Sequence, residues 1–100
     1  MQYKIIYSKE FYRNMSIHVA FLSNVSINAS KKLKENLKDY INILEVYSRI
    51  GSKIEFDKKL PVQYRRLVIS KKYILIYYAL KNNVYIDTLL DARQNNSNKI

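Results

Sequence analysis

The sequence predicts an α+β domain in which two helices pack on one face of a small, mostly antiparallel sheet, in the order β-α-α-β-β-β. Two observations support this fold class. Apolar residues recur with the helical period in the first half of the chain, whereas the second half has short apolar runs separated by polar turns. With 48% apolar residues, one Gly and one Pro among 100 residues, the composition excludes a disordered or linker-rich chain.

The first predicted elements are a short strand and a helix. Residues 3–7 are rich in β-branched and aromatic side chains, and Ser8 follows them as a typical helix N-cap. From Lys9 to about Asn24, apolar side chains recur every three or four residues and mark one face of a helix. That face consists of Phe11, Met15, His18 or Val19, and Leu22.

The second predicted helix has the longest periodic pattern in the chain. Its apolar residues recur over five turns from Ala29 to Tyr47, with Lys and Glu on the opposite face. Asn28 is a plausible N-cap. Ile50-Gly51 is expected to end the helix, because Gly readily adopts the left-handed conformation that a helix C-terminus often needs.

The second half of the chain has the composition of strands. A short strand is predicted at residues 53–56, and Leu60-Pro61 breaks the pattern. Three longer strands are predicted at Tyr64–Ile69, Tyr73–Leu80 and Val84–Leu90. Asn82-Asn83 suits a tight turn, because Asn tolerates positive φ. A single domain is expected over residues 1–93, followed by a frayed polar tail at residues 94–100.

The charge of the chain is strongly and unevenly positive. There are 18 Lys and Arg against 8 Asp and Glu, a formal net charge of +10. Between Lys58 and Lys72 the chain carries six basic residues and no acidic one. Such a surface attracts phosphates or an acidic protein partner, although a solvated surface that promotes solubility explains the same composition.

Several kinds of chemistry are excluded or disfavoured. The absence of Cys excludes disulfides, thiolate metal sites and a cysteine nucleophile. His18 is the only histidine and lies on the apolar side of its helix, so a partly buried structural role is expected. Glu55 and Asp57 are more simply surface charges than paired catalytic carboxylates. Neither a metal site nor a cofactor is expected.

The sequence also predicts a cytoplasmic protein with no membrane segment. The longest wholly apolar run, Tyr73–Leu80, is far shorter than the roughly 20 residues of a membrane-spanning helix. The first ten residues lack the apolar core of a secretory signal.

The strand Tyr73–Leu80 is apolar on both of its faces. Helices on one side of the sheet can cover only one face, so the other is expected to be adhesive. That second face carries Ile74, Ile76 and Tyr78, together with Leu80. A permanent partner protein or a second copy of the chain is expected to cover it.

Three segments together resemble the RelE/ParE superfamily, the toxins of type II toxin-antitoxin modules. They are the opening YKIIYSKEF, the helix ASKKLKENLKDYINILEVYSRIGS, and YRRLVISKKYILIYYALKNNVYIDTLLDARQN from Tyr64 to Asn95. The resemblance implies a small antiparallel sheet with two helices on one side. It also implies a cognate antitoxin, usually acidic where it binds the toxin, for which Ile74, Ile76 and Tyr78 are the predicted contacts.

Two branches of the superfamily imply different targets. The segment Tyr73-Ile74-Leu75-Ile76-Tyr77 resembles the Tyr-x-Ile-x-Tyr pattern of the ParE-like branch, with Leu75 at the central position. Studied members of that branch poison DNA gyrase, and this branch is favoured. The RelE-like branch cleaves mRNA in the ribosomal A site with Lys and Arg, and Arg65 and Arg93 match its basic positions. However, Ile74 replaces that branch's strand arginine, and residues 94–100 contain no Tyr or His.

The predicted target- or phosphate-binding residues are the same for both branches: Arg65, Arg66, Lys71, Lys72 and Arg93. Arg65 and Arg93 would be catalytic if the protein were a ribonuclease. A third hypothesis is a basic nucleic-acid-binding module without toxicity, in which tyrosines beside the basic cluster stack on bases. A homodimer or a toxin-antitoxin hetero-oligomer is the expected assembly.

Overall fold

The computed structural model describes residues 2–93 and confirms the predicted α+β architecture, with two helices and a five-stranded sheet. The strands are β1 (Lys4–Tyr7), β2 (Ser52–Lys53), β3 (Tyr64–Ile69), β4 (Tyr73–Leu80) and β5 (Asn83–Asp91). The helices are α1 (Lys9–Val25) and α2 (Ile27–Leu44). The tail predicted at residues 94–100 lies outside the described residues.

The sheet has the strand order β1-β5-β4-β3-β2. Strands β2 to β5 pair antiparallel with their neighbours, and β1 pairs parallel to β5. The sheet is therefore mixed but mostly antiparallel, as predicted. Strand β4 lies at its centre and has four buried residues, more than any other strand of the sheet.

The core lies between the two helices and one face of the sheet. Alternate residues of the strands point toward the helices, as the two-residue period of a strand requires. The helices contribute Phe11, Leu33, Leu37, Ile41 and Leu44. The strands contribute Ile69, Tyr73, Leu75, Tyr77, Val84, Ile86 and Leu89. Burying each such side chain stabilises the fold by about 1.5–3 kcal/mol.

Helix α1 covers the edge of β5 beyond the end of β1. Strand β1 pairs with β5 only as far as Ile86, so the next backbone groups of β5 need other partners. Ser8 caps α1 and donates its hydroxyl to the Asp87 carbonyl at 2.6 Å. The Nε2 atom of His18 lies 2.8 Å from the Leu89 carbonyl. His18 is half-buried here, in a structural position.

The boundaries of α2 differ from the prediction at both ends. Ser26, not Asn28, is the N-cap, and its hydroxyl accepts a hydrogen bond from the Ala29 N–H at 3.2 Å. The helix ends at Leu44, and the chain turns at Glu45, before the predicted end at Ile50-Gly51. The apolar period continues into this turn, which is why the sequence placed the end too late.

Gly51 does not end a helix and does not have a positive φ. Its N–H donates to the Tyr77 hydroxyl at 2.8 Å inside the protein. A Cβ at this position would lie 2.8 Å from the Arg66 carbonyl oxygen and 2.8 Å from the Tyr77 ring. Glycine is required here by close packing, not by backbone conformation.

The β4–β5 turn is displaced by one residue from the predicted Asn82-Asn83. Leu80 pairs with Asn83, so the loop residues are Lys81 and Asn82. The positive φ of this turn belongs to Lys81, at 58°. Asn83 instead lies in β5 and donates its side-chain amide to the Tyr85 hydroxyl at 3.1 Å.

Candidate functional site

One end of the sheet gathers three of the five predicted contact residues. The β3–β4 turn carries Lys71 and Lys72, and the end of β5 leads into Arg93 beside it. The Ala92 N–H donates to the Lys72 carbonyl at 2.8 Å, which fixes the two segments together. Lys71, Lys72 and Arg93 are exposed and form what we call the basic end of the sheet.

Arg93 is oriented by Asp91 and Tyr73. Its guanidinium donates from Nε and Nη2 to the two carboxylate oxygens of Asp91, at 3.0 and 2.9 Å. Nη2 also lies 3.4 Å from the Tyr73 hydroxyl, and the guanidinium carbon lies 5.7 Å from the Tyr73 ring centre. Bidentate pairing fixes the plane of a guanidinium. Since 45% of the Arg93 side chain is exposed, it can still contact a partner.

Arg65 lies away from the basic end and has a structural role. Its Nη1 donates to the Gly51 carbonyl at 2.9 Å and to the Arg49 carbonyl at 3.3 Å, which holds that loop against the sheet. Arg65 pairs across the strands with Tyr77, whereas Asp91 pairs with Tyr73. Four residues of strand separate those positions, roughly 13 Å. The structure does not bring Arg65 and Arg93 together.

Arg66 lies on the opposite face of the sheet, which neither helix covers in residues 2–93. We call this the open face. Arg66 is exposed there and pairs with Ile76 of β4. The predicted antitoxin contacts share the face but differ in burial: Ile74 and Tyr78 are half-buried, and Ile76 is only 7% exposed. Among the strand residues of this face, the most exposed apolar side chains are Val68 and Leu80.

A row of four aromatic rings crosses the open face, a feature that the sequence analysis missed. Successive ring centres in the order Phe56, Tyr64, Tyr78, Tyr85 lie 6.0, 5.2 and 4.9 Å apart. Tyr78 and Tyr85 are nearly parallel, with 19° between their planes. The tyrosines occupy paired positions of adjacent strands, which is the signal that could have identified the row. Tyr78 and Tyr85 stack face to face, whereas Tyr64 meets Phe56 and Tyr78 edge-on, with 69° and 75° between the ring planes.

Residues 2–93 offer neither a metal site nor a membrane-spanning helix. Over that range no group of three His, Asp or Glu side chains could hold a metal ion. Neither helix has the length and apolarity needed to cross a membrane. Glu55 and Asp57 are exposed in the loop after β2.

Two aspartates of β5 are expected to affect stability with opposite pH dependence. The hydrogen bonds from Arg93 hold the pKa of Asp91 below its usual range, whereas burial, with the nearby Glu10 carboxylate, raises the pKa of Asp87. Asp91 therefore stabilises the fold above the unfolded-state pKa of about 3.9, and this contribution is lost as the pH falls through its lower folded pKa. Ionised Asp87 destabilises the fold at neutral pH, and this cost vanishes at low pH.

The check is urea unfolding of D91N and D87N at pH 7 and at pH 3. We expect D91N to be less stable than the parent at pH 7 and D87N to be more stable. Both differences should shrink at pH 3. The assignment of the Arg93 pair would be wrong if D91N kept the parent's stability at pH 7.

Comparison with known proteins finds similarity in structure and none in sequence. No family model matches the chain, and no curated protein matches its sequence. A chain of the chromosomal ParDE TA system from P. aeruginosa is 10% identical, with a TM-score of 0.67, over 90% of this chain and 96% of that one. A chain of the E. coli DinJ-YafQ toxin-antitoxin complex is 14% identical, with a TM-score of 0.62, over 93% and 96%.

Each likeness covers nearly the whole of both chains. At 10% and 14% identity the two likenesses concern the fold alone. The chain therefore has the fold of these two chains, which come from a ParDE system and from DinJ-YafQ, and this is the fold that the resemblance of its sequence implied.

Proposed function

We propose that the protein is the toxin of a type II toxin-antitoxin module, that a cognate antitoxin neutralises it, and that it acts by binding DNA gyrase. Three features support this proposal. The fold is that of chains from two toxin-antitoxin systems. The Tyr73 to Tyr77 pattern resembles the ParE-like branch. The net charge of +10 and the apolar open face suit a protein partner that is acidic and partly apolar.

The choice of gyrase over mRNA as the target rests on the separation of Arg65 from Arg93. An RNA-cleaving site needs cationic groups and proton-transfer groups that converge on one scissile phosphate. Here Arg65 is bonded to backbone carbonyls and Arg93 to Asp91, at positions roughly 13 Å apart along the sheet. This arrangement supports binding over catalysis.

The groups nearest Arg93 are also poorly suited to proton transfer. Tyr73 is only 2% exposed, and burial, with the Asp91 carboxylate, raises the pKa of its hydroxyl. A phenol of raised pKa stays protonated at neutral pH, so it supplies no base and is a weaker acid than an ordinary tyrosine. His18 packs edge-on against the Tyr73 ring and is bonded to the Leu89 carbonyl. Neither side chain is presented to a substrate beside the guanidinium.

Induced expression in a bacterium tests the target. Incorporation of labelled thymidine and of labelled amino acid would be followed separately over the first minutes. We expect DNA synthesis to fail first. If translation failed first and messages were cleaved, the RelE-like ribonuclease would replace this proposal. Growth without arrest would favour the hypothesis of a basic nucleic-acid-binding module without toxicity.

Arg93→Ala distinguishes the two toxic mechanisms in purified assays. If Arg93 contacts gyrase, we expect R93A to raise the concentration for half-inhibition of supercoiling about tenfold. If Arg93 is instead a catalytic group of a ribonuclease, we expect R93A to lower the cleavage rate about 100-fold or more. Lys58→Ala, in the exposed loop before β3, is the matched control. If R93A inhibited gyrase as strongly as the parent, Arg93 would not be a gyrase contact.

A further inference from the structure

The outward side of α1 carries a row of exposed apolar side chains. Ile17, Phe21 and Val25 follow one another at intervals of four residues, so they lie along one line on the helix surface. Their exposed fractions are 59%, 58% and 70%. We call this row the α1 ridge. The side of α1 that packs in the core carries Phe11 and Met15 instead.

A row of short side chains runs beside the α1 ridge. It consists of Ser16, Ala20 and Asn24, which are also four residues apart and are all exposed. Because these side chains are shorter than those of the ridge, they form a shallow groove along it. Two helices pack well when such a ridge on each lies in the groove of the other, which crosses their axes at about −50°. A second copy of α1 presents both the ridge and the groove that this surface needs.

This surface is uncharged in a strongly basic chain. Residues 14–30 contain no Lys, Arg, Asp or Glu, although 26% of the chain is charged. The nearest charged residues in the sequence are Arg13 and Lys31. Two copies that each carry a net charge of +10 repel each other where their lysines and arginines meet. A contact between two α1 ridges brings no like charges of residues 14–30 together.

The same lack of charge disfavours two other occupants of the α1 ridge. A helix that lies on an anionic membrane has Lys and Arg beside its apolar residues, and residues 14–30 supply none. An acidic protein segment would find no cation there with which to pair its carboxylates. An uncharged, apolar surface of the same shape remains, and a second copy of the chain provides it.

The open face of the sheet is a less suitable surface for a second copy. Arg66 is exposed on that face, so two copies that met there would bring like charges together. Ile76 is only 7% exposed and offers little area to a partner. Self-association is therefore better served by α1 than by β4.

We propose that two copies of the chain associate through their α1 ridges as a symmetric dimer, a contact that does not depend on the proposed toxin function. The same surface patch is used on both copies, as in two-fold dimers generally, and Phe21 at the middle of the ridge lies near the axis. The two rows expose roughly 500 Å² per copy, so the interface is near the lower limit for a specific complex. The dimer is therefore weak, with a Kd on the order of 100 μM.

The first test is sedimentation equilibrium of the purified full chain, from about 5 to about 500 μM, at about 0.1 M and about 0.5 M NaCl. We expect mostly monomer at the lowest concentration and mostly dimer at the highest. Association should strengthen at least about threefold at the higher salt, because salt screens the repulsion between two chains of net charge +10. A monomer under all conditions would overturn the proposal. A dimer that weakened with salt would also overturn it, since ion pairs would then hold the copies together.

Two phenylalanine variants distinguish the α1 ridge from the open face. Phe21 is 58% exposed, so Phe21→Ala should fold normally, and we expect it to weaken dimerisation at least about tenfold. Phe56→Ala removes the same atoms from the aromatic row of the open face, where Phe56 is 49% exposed, and should leave the dimer Kd within about twofold. A dimer lost in F56A and retained in F21A would assign self-association to the open face and contradict the proposal.

Disulfide trapping tests the position of the two-fold axis. The chain has no Cys, so a single introduced cysteine can pair only with its copy in another molecule. Ala20 lies beside Phe21 in the row of short side chains, and we expect Ala20→Cys to form the cross-linked dimer under mild oxidation. Ser23→Cys is the matched control, because Ser23 is exposed on the same helix but belongs to neither row. We expect it to cross-link at least about fivefold more slowly. Equal rates for the two variants would indicate random collision and contradict the proposed interface.

Discussion

Replacing Gly51 with alanine is expected to destabilise the protein by about 2–3 kcal/mol, as overpacking of a rigid site does. The added Cβ would lie 2.8 Å from the Arg66 carbonyl oxygen, the Tyr77 Cε1 atom and the Tyr77 hydroxyl. Tyr77 is fully buried and Arg66 meets the Cβ through its backbone, so neither can move away without disturbing the sheet. Urea unfolding followed by circular dichroism measures the loss.

Two control variants give this prediction its specificity. Ser52→Ala, at the exposed neighbouring position, should change stability by no more than about 0.5 kcal/mol. Tyr77→Phe removes the hydroxyl that accepts from the Gly51 N–H and should cost about 1 kcal/mol. In that background Gly51→Ala should cost less than in the parent, because one of the close contacts is gone. Parental stability of G51A would contradict the packing of this loop on Tyr77.

The three longer strands could be predicted from the sequence with little error, whereas the short strand predicted at residues 53–56 is a two-residue strand, Ser52–Lys53. The bounds of β3 and β4 are those predicted, and β5 extends the predicted strand by one residue at each end. Dense β-branched and aromatic runs between polar turns are a local signal, and no competing pattern crosses them. The pairing of β1 with β5 could not be predicted in this way, because nothing local specifies which edge an isolated strand joins.

The ends of α2 and the role of Gly51 depended on contacts distant in sequence. Ser26 and Asn28 are both good N-cap residues, and only the course of the chain after α1 selects Ser26. The apolar period runs on through Tyr47, yet Tyr47 is 66% exposed because the chain has already left the helix. The requirement for glycine at position 51 comes from its contact with Tyr77, which is 26 residues away in the sequence.

The types of residue in the candidate site could be predicted from the sequence, but their arrangement in space could not. The charge pattern correctly indicated Lys71 and Lys72 as exposed cations, since a polar turn between two apolar strands must lie at the surface. The grouping of Arg65 with Arg93 depended on strand register, which sets Arg65 opposite Tyr77 and Asp91 opposite Tyr73. Arg93 and Asp91 are two residues apart in the sequence, so their ion pair could have been predicted.

Ile76→Asp is expected to destabilise the fold by about 3 kcal/mol, and for this reason it is a poor test of partner binding. Ile76 is 7% exposed although it lies on the open face, since its strand neighbours and their side chains surround it. An aspartate there loses the packing of the isoleucine and buries a charge. The adjacent Arg66 offsets part of that cost.

Val68→Asp is the substitution that tests the open face as a partner surface. Val68 pairs with Ile74 in the same sheet but is 48% exposed, so an aspartate there should cost no more than about 1 kcal/mol. If the antitoxin covers this face, V68D should fold normally and bind at least about tenfold more weakly, because an unpaired carboxylate would enter an apolar contact. Parental affinity of V68D would show that the antitoxin leaves the open face uncovered.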